Sequence, residues 1–394
     1  MNQLKPVQEK LRLPWIDAAR GFAIFGIFIV NLPSFHGPYF LYGNGTNYWG
    51  NEESGILSMI IDIFFQASFY SLFSFLFGFG IQMMLENLHS KGIQATHTLS
   101  RRLTMLLVFG VIHAFLIWHG GDILISYSII GFLLLFFLNR TNTTLIIWSV
   151  SLLLAPVVLF TGLLYLASQF TLDITNQAAI EASYQHYGSG SILDILQQNL
   201  ADWLFANNVY SFILIACNLL PIFLLGTLFA RKKWLHQVDV HLPILKRIWL
   251  ISLSLFFIFK AGPHFIGNPL WLSMLQDTVG GVSSAIFYIT TITLLYRMIP
   301  SLFRGLEYVG KMALSNYILQ SLVGVLLFYS IGFGLYGELS PLQTILIAFF
   351  VFPIQIILSW LWLKRYKRGP LEWVWRSWTY RKKLTNKRKQ ELAS

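Results

Sequence analysis

Charge is what this sequence has least of. Aspartate, glutamate, lysine and arginine make up 11% of its 394 residues, against roughly 25% in a typical soluble domain. Seventeen acids and 28 bases are too few to cover a water-facing surface of that size. Cysteine occurs once, at Cys217, which excludes an internal disulfide and a thiolate metal cluster. Strand patterns of period two are absent, so helices remain as the regular element. No P-loop, zinc-ligand or G-x-S-x-G pattern stands in a usable context. No internal repeat of the kind many transporters carry is evident. What the chain has in abundance is apolar: 55% hydrophobic residues and a mean hydropathy of +0.61. Such a chain takes the bilayer as its main solvent.

Crossing a bilayer takes about 20 apolar residues. Ten runs qualify, near 15–34, 56–85, 102–118, 121–138, 144–168, 208–230, 246–262, 270–298, 310–333 and 341–363. The expected fold is an all-α bundle of about ten spans, one domain over 1–363 followed by a basic tail over 364–394. The second and eighth runs are overlong. They require tilt or a break, and the second can also be read as a short helix over 56–66 and a longer one over 68–88.

Every lysine and arginine except Arg20 and Lys260 falls in the tails or in alternate loops. The other loops carry no base but hold Glu52, Glu53, Asp173, Glu181, Asp194, Asp202 and Glu338. The positive-inside rule then puts both termini in the cytoplasm of a plasma-membrane protein. The net charge of +11 is thereby accounted for by topology and by a tail facing anionic lipid, and nucleic acid is not needed. The first run lacks a small-residue cleavage site and reads as a retained helix. In the long loop 169–207, Ile192, Ile195, Leu196, Leu200, Trp203 and Leu204 fall near one helical face. That suits a helix in the outer interface, or a cap over the bundle. The oligomeric state, a homodimer included, is left open.

Ionisable groups inside a span cost several kcal/mol each and so mark candidate sites. In the first run Asp17 and Arg20 are three residues apart and suit an ion pair, either anchoring or functional. Asn31 lies eleven residues beyond Arg20, close to three turns and about 16 Å further along the same face. Asp62 and Gln66 follow one turn apart among phenylalanines, and Gly78 and Gly80 suit close helix approach. His113 and Asp122 flank an external turn, so they can pair as a base and its orienting group. The alternatives are a histidine satisfied by a carbonyl and a carboxylate at a helix start. His119 reads as solvated. Lys260 is the one outer base, placed to snorkel or to meet an anion. Asp277, Asn316 and Gln320 complete the intramembrane set. Glu372 and Arg376 lie just past the last run, beside Trp373, Trp375 and Trp378, which suit an aromatic belt.

These motifs resemble the YeiB-like family of bacterial multi-pass membrane proteins, a family of unknown function. The matching residues run from Asp17, Arg20, Gly21 and Gly26 to Asn31, then Leu76-Phe77-Gly78 with Gln82, and Arg101-Arg102 to His113. They continue through Gly121-Asp122 with Tyr127, Gly310 to Asn316-Tyr317 with Gln320, and Arg368-Gly369-Pro370 to Glu372-Trp373 with Arg376. The opening helix is also similar to that of heparan-α-glucosaminide N-acetyltransferase, a lysosomal membrane enzyme. There too an Asp, an Arg three later and an Asn eleven after the Arg precede a catalytic His in the luminal loop.

That resemblance implies a transmembrane acyltransferase, which moves an acyl group from a cytoplasmic donor to an acceptor at the far face. It implies Asn31 and His36 as the catalytic pair. His36 follows Asn31 more closely than in the lysosomal enzyme, and the YeiB-like pattern includes no histidine there. His113, oriented by Asp122, is therefore the alternative base. Arg20, with Arg101 and Arg102, would hold the phosphates of acyl-coenzyme A, acetyl-coenzyme A being the simplest, and Asp17, paired with Arg20, belongs to the same donor site. Asp62, Gln66, Tyr127, Asn316, Gln320, Glu372 and Arg376 would line the substrate path, and no metal is implied. Two other readings stand beside this one: a transporter or lipid-binding protein using the same polar path, and a scaffold or sensor whose polar groups only join helices.

Overall fold

The computed structural model describes residues 12–38, 41–43, 52–117, 122–170 and 175–388. Expectations for Lys5, Lys10, His119, Gly121 and Asp173, and for the side chains of Glu52 and Glu53, lie outside the described residues. Among the described residues regular structure is helical, apart from one isolated bridge between Tyr366 and Lys387.

The helices in chain order are α1 (Pro14–His36), α2 (Glu52–Phe64), α3 (Ser68–His89), α4 (Ala95–Leu116), α5 (Leu124–Leu135) and α6 (Asn142–Ala167). Next come α7 (Gln177–Gly188), α8 (Ile192–Ala206), α9 (Val209–Arg231), α10 (Leu242–Phe256) and α11 (Gly281–Met298). The chain ends with α12 (Arg304–Lys311), α13 (Ala313–Phe328), α14 (Pro341–Arg365) and α15 (Pro370–Tyr380). Eight segments are long and apolar enough to cross a bilayer, and α12 with α13 makes a ninth as a pair bent by 78°. Helix α5, expected to run over 121–138, has 12 residues and so rises only about 18 Å. The protein is a multi-pass membrane protein.

Four irregularities shape the bundle. The overlong second run divides at residues 65–67, as its two-helix reading had it. Ala67 takes a left-handed conformation (φ 59°), and the freed Phe64 carbonyl accepts the Tyr288 hydroxyl at 2.7 Å. The span continuing α10 and the one leading into α11 each contain a π turn, at Phe257–Ala261 and Gln276–Gly280. Between α12 and α13 the Asn316 amide donates to the Val309 and Met312 carbonyls (3.3 and 3.1 Å). Irregular backbone inside a bilayer needs partners of this kind.

Solvent preference sorts the faces. Ile146, Ile147, Trp148, Val150, Val158 and Leu159 of α6 are all exposed, as lipid-facing residues should be. The α7–α8 hairpin turns the polar face of α8 towards the protein. Its Gln198, Asn199 and Asp202 are buried while Ile192, Leu200 and Leu204 are exposed. Asp202 accepts hydrogen bonds from Tyr42, Tyr187 and Gln198, and those donors draw the polar face inward.

Helix α1 lies at the centre, packed on α3, α11, α12, α13 and α14. Glycine permits its nearest approach. A Cβ on Gly310 would stand 1.8 Å from the Asp17 carbonyl oxygen, and one on Gly21 would stand 2.0 Å from that of Leu306. Helices α3 and α9 interlock the same way through Gly78 and Gly226, the close-approach role expected of Gly78. Substituting Gly310→Val should lower the thermal midpoint of the purified protein, costing at least the about 1–3 kcal/mol typical of overpacking. Gly162→Val on α6, where nothing lies within 4 Å, should leave it unchanged. Thermal unfolding in detergent, followed by loss of the monodisperse peak, measures both.

Candidate functional site

Along α1, Arg20, Ile24 and Ile27 recur at helical spacing, and all three line a cavity of about 1050 Å³ including its open mouth. Ile27, Val30 and Asn31 continue the same stripe into a second cavity of about 400 Å³. The two cavities share Ile27, Ile123 and Tyr317. The expected common face of Arg20 and Asn31 is thus present, and it borders open space rather than packed hydrocarbon.

The mouth of the larger cavity is cationic. Arg12, Arg20, Arg102, Lys311 and Arg376 line it, with Glu372 as the one acid. Asp17 is buried and bonded to both Arg12 (3.0 Å) and Arg20 (3.0 Å). That is the anticipated i,i+3 pair with a second guanidinium added. The Arg102 guanidinium stacks 3.8 Å from the Trp375 ring centroid, and the Trp375 indole N–H returns a hydrogen bond to the Arg102 carbonyl (2.8 Å). Glu372 accepts from the Ser315 amide and hydroxyl (3.0 and 2.6 Å), so it caps the start of α13 instead of neutralising an arginine. Burial raises its carboxyl above the usual range in spite of those donors. Among the described residues Arg102 and Arg376 have no carboxylate partner. Burial, then the charges of Arg12, Arg368 and Arg102, push the Arg376 guanidinium down to about 9.

Deeper in, the lining turns apolar and aromatic: Phe73, Leu76, Phe77, Leu106, Leu124 and Tyr127. The Tyr127 hydroxyl is tied to Ser74 Oγ (2.6 Å) and donates to the Tyr70 carbonyl (3.1 Å). At the junction of the cavities Tyr317 stands with its ring centroid 5.1 Å from that of His113. His113 is fully buried. Its Nδ1 lies 3.2 Å from Asp122 Oδ1 and its Nε2 lies 2.8 Å from Ser321 Oγ. A carboxylate only accepts, so Nδ1 donates to Asp122, while Nε2 shares a hydrogen bond with the Ser321 hydroxyl, which also reaches the Tyr317 carbonyl (3.4 Å). Asp122 also accepts from the Leu124 and Ile125 amides (3.3 and 3.2 Å). It is at once the helix-start carboxylate and the partner of His113.

Other candidates take posts away from the cavities. Arg101 ties α4 to α15 by donating to the Thr379 carbonyl (3.0 Å). His36 Nε2 accepts the Leu339 amide (3.0 Å) and its ring stands edge-on to Phe328, so it pins the turn before α14. Asn316 donates to Ser359 Oγ (2.9 Å), and Gln320 donates to Gln355 Oε1 (2.9 Å); both join α13 to α14. Gln66 lends its carbonyl to Ser68 at the helix break. Asp62 belongs to a separate cluster, 2.8 Å from His264 Nε2 and 3.6 Å from Lys260 Nζ. Lys260 is fully buried and also reaches Asp277 (3.1 Å). Of the residues expected along a substrate path, Tyr127, Glu372 and Arg376 line the larger cavity, whereas Asp62, Gln66, Asn316 and Gln320 line neither of these two cavities. Sequence reading did not single out Ser321 or the roles of Arg12 and Lys311 at the mouth; a lone serine in a span and bases in a loop carry no signal of their own.

The fold and site define a multi-pass membrane protein with a cation-mouthed cavity running beside its first helix. The chain is 35% identical over 402 residues to the uncharacterized protein YxaH of Bacillus subtilis (strain 168), covering 96% of this chain and 97% of that one. It is 26% identical over 396 residues to the uncharacterized protein YeiB of Escherichia coli (strain K12), covering 93% and 96%. The model of the family described as "protein of unknown function (DUF418)" matches residues 229–382. The chain belongs to this YeiB-like family. No solved structure matches it.

Crowded guanidiniums favour an anion. Inorganic triphosphate should raise the thermal midpoint, by the equivalent of about 2.7 kcal/mol at a hundredfold excess over its Kd. Because Arg376 holds its proton less tightly folded than unfolded, stability without the anion should climb as pH rises from about 9 towards the ordinary arginine range. Arg376→Ala should reduce that climb, stabilise the anion-free protein at pH 8, and blunt the effect of triphosphate. Thermal scans at pH 8 and pH 10.5 test all three.

Proposed function

We propose that the protein is a plasma-membrane acyltransferase. It takes an acyl group from acyl-coenzyme A at the cytoplasmic mouth and passes it to an acceptor at the outer face. The observation that carries this reading is the pair of adjoining cavities beside α1, running from Arg20 to Asn31. Eleven residues of helix cover about 16 Å, comparable to an extended pantetheine arm. The donor's phosphates sit among Arg12, Arg20, Arg102 and Arg376, where bidentate contacts favour arginine. The pantetheine and acyl chain follow the apolar lining past Tyr127.

In the reaction the acceptor's oxygen or nitrogen attacks the thioester carbonyl, the C–S bond breaks, and coenzyme A leaves as its thiol. His113 takes the acceptor's proton on Nε2 and returns it to the departing thiolate. Asp122 holds the imidazole in the required tautomer. The Asn31 amide donates to the oxygen that gains charge as the carbonyl is attacked. Both termini lie in the cytoplasm on this reading, because the basic ends of the spans do.

Purified protein in lipid nanodiscs, given labelled acetyl-coenzyme A and a mixed outer-face acceptor fraction, should release coenzyme A and label the acceptor. His113→Ala should slow transfer about 10²–10⁴-fold and Asn31→Ala about 10²–10³-fold, with folding intact. Full activity in both variants would sink the assignment. Vesicle uptake of the label with no covalent product would decide for transport.

A further inference from the structure

Beside the cationic mouth, and sharing Lys311 with it, lies a third recess. It has a volume of about 450 Å³ and is lined by Tyr308, Lys311, Trp360, Leu363, Lys364 and Arg388. Three of these six residues are cations, and Lys311 also lines the larger cavity.

The recess is assembled from distant parts of the chain. After α15 the backbone doubles back, so that the Lys367 amide donates to the Asn386 carbonyl (2.8 Å) and the Arg388 amide to that of Arg365 (3.0 Å). Asn386 Nδ2 donates to the Arg368 carbonyl (3.2 Å), and the Trp373 indole donates to the Leu384 carbonyl (2.6 Å). The expected basic tail is thus folded on the bundle as far as Arg388. Arg388 Nε donates to the Leu363 carbonyl (2.9 Å), which fixes its guanidinium and leaves the two terminal nitrogens without an acceptor among the described residues. The Lys364 ammonium rests 3.4 Å from the Trp360 ring centroid, held by the ring face. Lys311 is paired with Glu307 (3.1 Å). Lys364 and Arg388 have no carboxylate partner among the described residues.

Above the recess, α14 turns lipid-facing. Phe350, Ile354, Ile357, Leu358 and Leu361 are exposed along it, and Trp360 is 38% exposed at its basic end. Fixed unpaired cations, an amphipathic indole and an adjoining apolar helix face together match a phosphate head that carries acyl chains.

We propose that this recess binds one anionic phospholipid, with its phosphate between Lys364 and Arg388 and its chains along α14. The lipid differs from a diffuse cloud of anionic headgroups because it occupies one place at fixed stoichiometry. Through Lys311 its head borders the mouth of the larger cavity. The site stands whether or not that cavity transfers an acyl group.

Native mass spectrometry of the full chain in detergent tests this with phosphatidylglycerol and phosphatidylcholine. One phosphatidylglycerol should survive on each chain at collision energies that strip phosphatidylcholine. Lys364→Ala with Arg388→Ala should weaken that binding about 30-fold, and Trp360→Ala should weaken it further. Lys382→Ala with Lys383→Ala, exposed on the same tail but outside the recess, should leave it unchanged. Equal loss in the control pair means diffuse attraction and overturns the proposal. So does unchanged retention in the first pair. Displacement by soluble glycerol 3-phosphate at comparable concentration would assign the recess to a free phosphate and overturn the lipid. Each variant's monodisperse elution confirms that it folds.

Discussion

A carboxylate buried in a membrane helix has to be neutralised where it stands. Asp17 is neutralised twice, by Arg12 and by Arg20. One acid between two guanidiniums leaves positive charge over, and that excess faces the larger cavity. The same residue seats the neighbouring helix, since the Asp17 carbonyl is where Gly310 presses α12 against α1. The charge at the mouth is therefore set by backbone packing and not by mobile side chains on a surface. Arg102, stacked on Trp375, and Arg376 on α15 close the ring from the other side. A rigid field of one sign in a low-dielectric wall attracts an anion without having to reorganise around it.

The contrast with Lys260 sharpens this. Lys260 is deeper than any of the mouth arginines, and two facing π turns are built around it. Gly280 leaves space for its stem, since a Cβ there would lie 2.8 Å from Lys260 Cδ. Gln276 donates to its carbonyl (3.1 Å). Its ammonium meets Asp62 and Asp277, and Asp62 in turn meets His264, Asn268 and Gln276. Every charge there has an opposite within the cluster. Such a cluster ties α2 to the spans flanking α10 and α11. The mouth, by comparison, holds cations that the protein leaves unmatched. Buried charge alone does not separate a site from a strut; the imbalance does.

How much of this the sequence disclosed follows from the range of each interaction. The spans were legible because bilayer thickness sets a length and the bases mark alternate loops. The Asp17–Arg20 pair and the Arg20–Asn31 stripe were legible because helical geometry fixes neighbours three, four and eleven residues apart. The His113–Asp122 pair was legible because the two residues stand nine apart in sequence, near the adjoining ends of α4 and α5. Asn316 and Gln320 misled because an amide in a span costs the same whether it lines a cavity or bonds to Ser359 and Gln355. Asp62 misled for the same reason, its partners lying some 200 residues away. The π turns, the left-handed Ala67 and the 78° bend at Met312 arise from tertiary packing and leave no local signature. The burial of the polar face of α8 likewise leaves no local signature, because Tyr42 and Tyr187, which bond Asp202, stand on other segments.

The position of His113 bears on the proposed chemistry. An imidazole sealed in a core must have both nitrogens satisfied. Asp122 satisfies one and Ser321 the other. Without a ligand the histidine is therefore at rest, with its basic nitrogen pointed at a hydroxyl. On the proposed reading, an acceptor hydroxyl that reaches the junction at Tyr317 replaces one hydroxyl partner of Nε2 by another. Exchanging like hydrogen bonds changes the free energy by little, whereas exposing an unpaired nitrogen would cost about 1–3 kcal/mol. Ser321 thus keeps Nε2 satisfied until an acceptor arrives, while Asp122 fixes the tautomer. His36 has no such freedom, because the backbone amide it accepts belongs to the turn it pins. Of the two histidines that the acyltransferase pattern offered, the one whose partner can be exchanged is the better placed to move a proton.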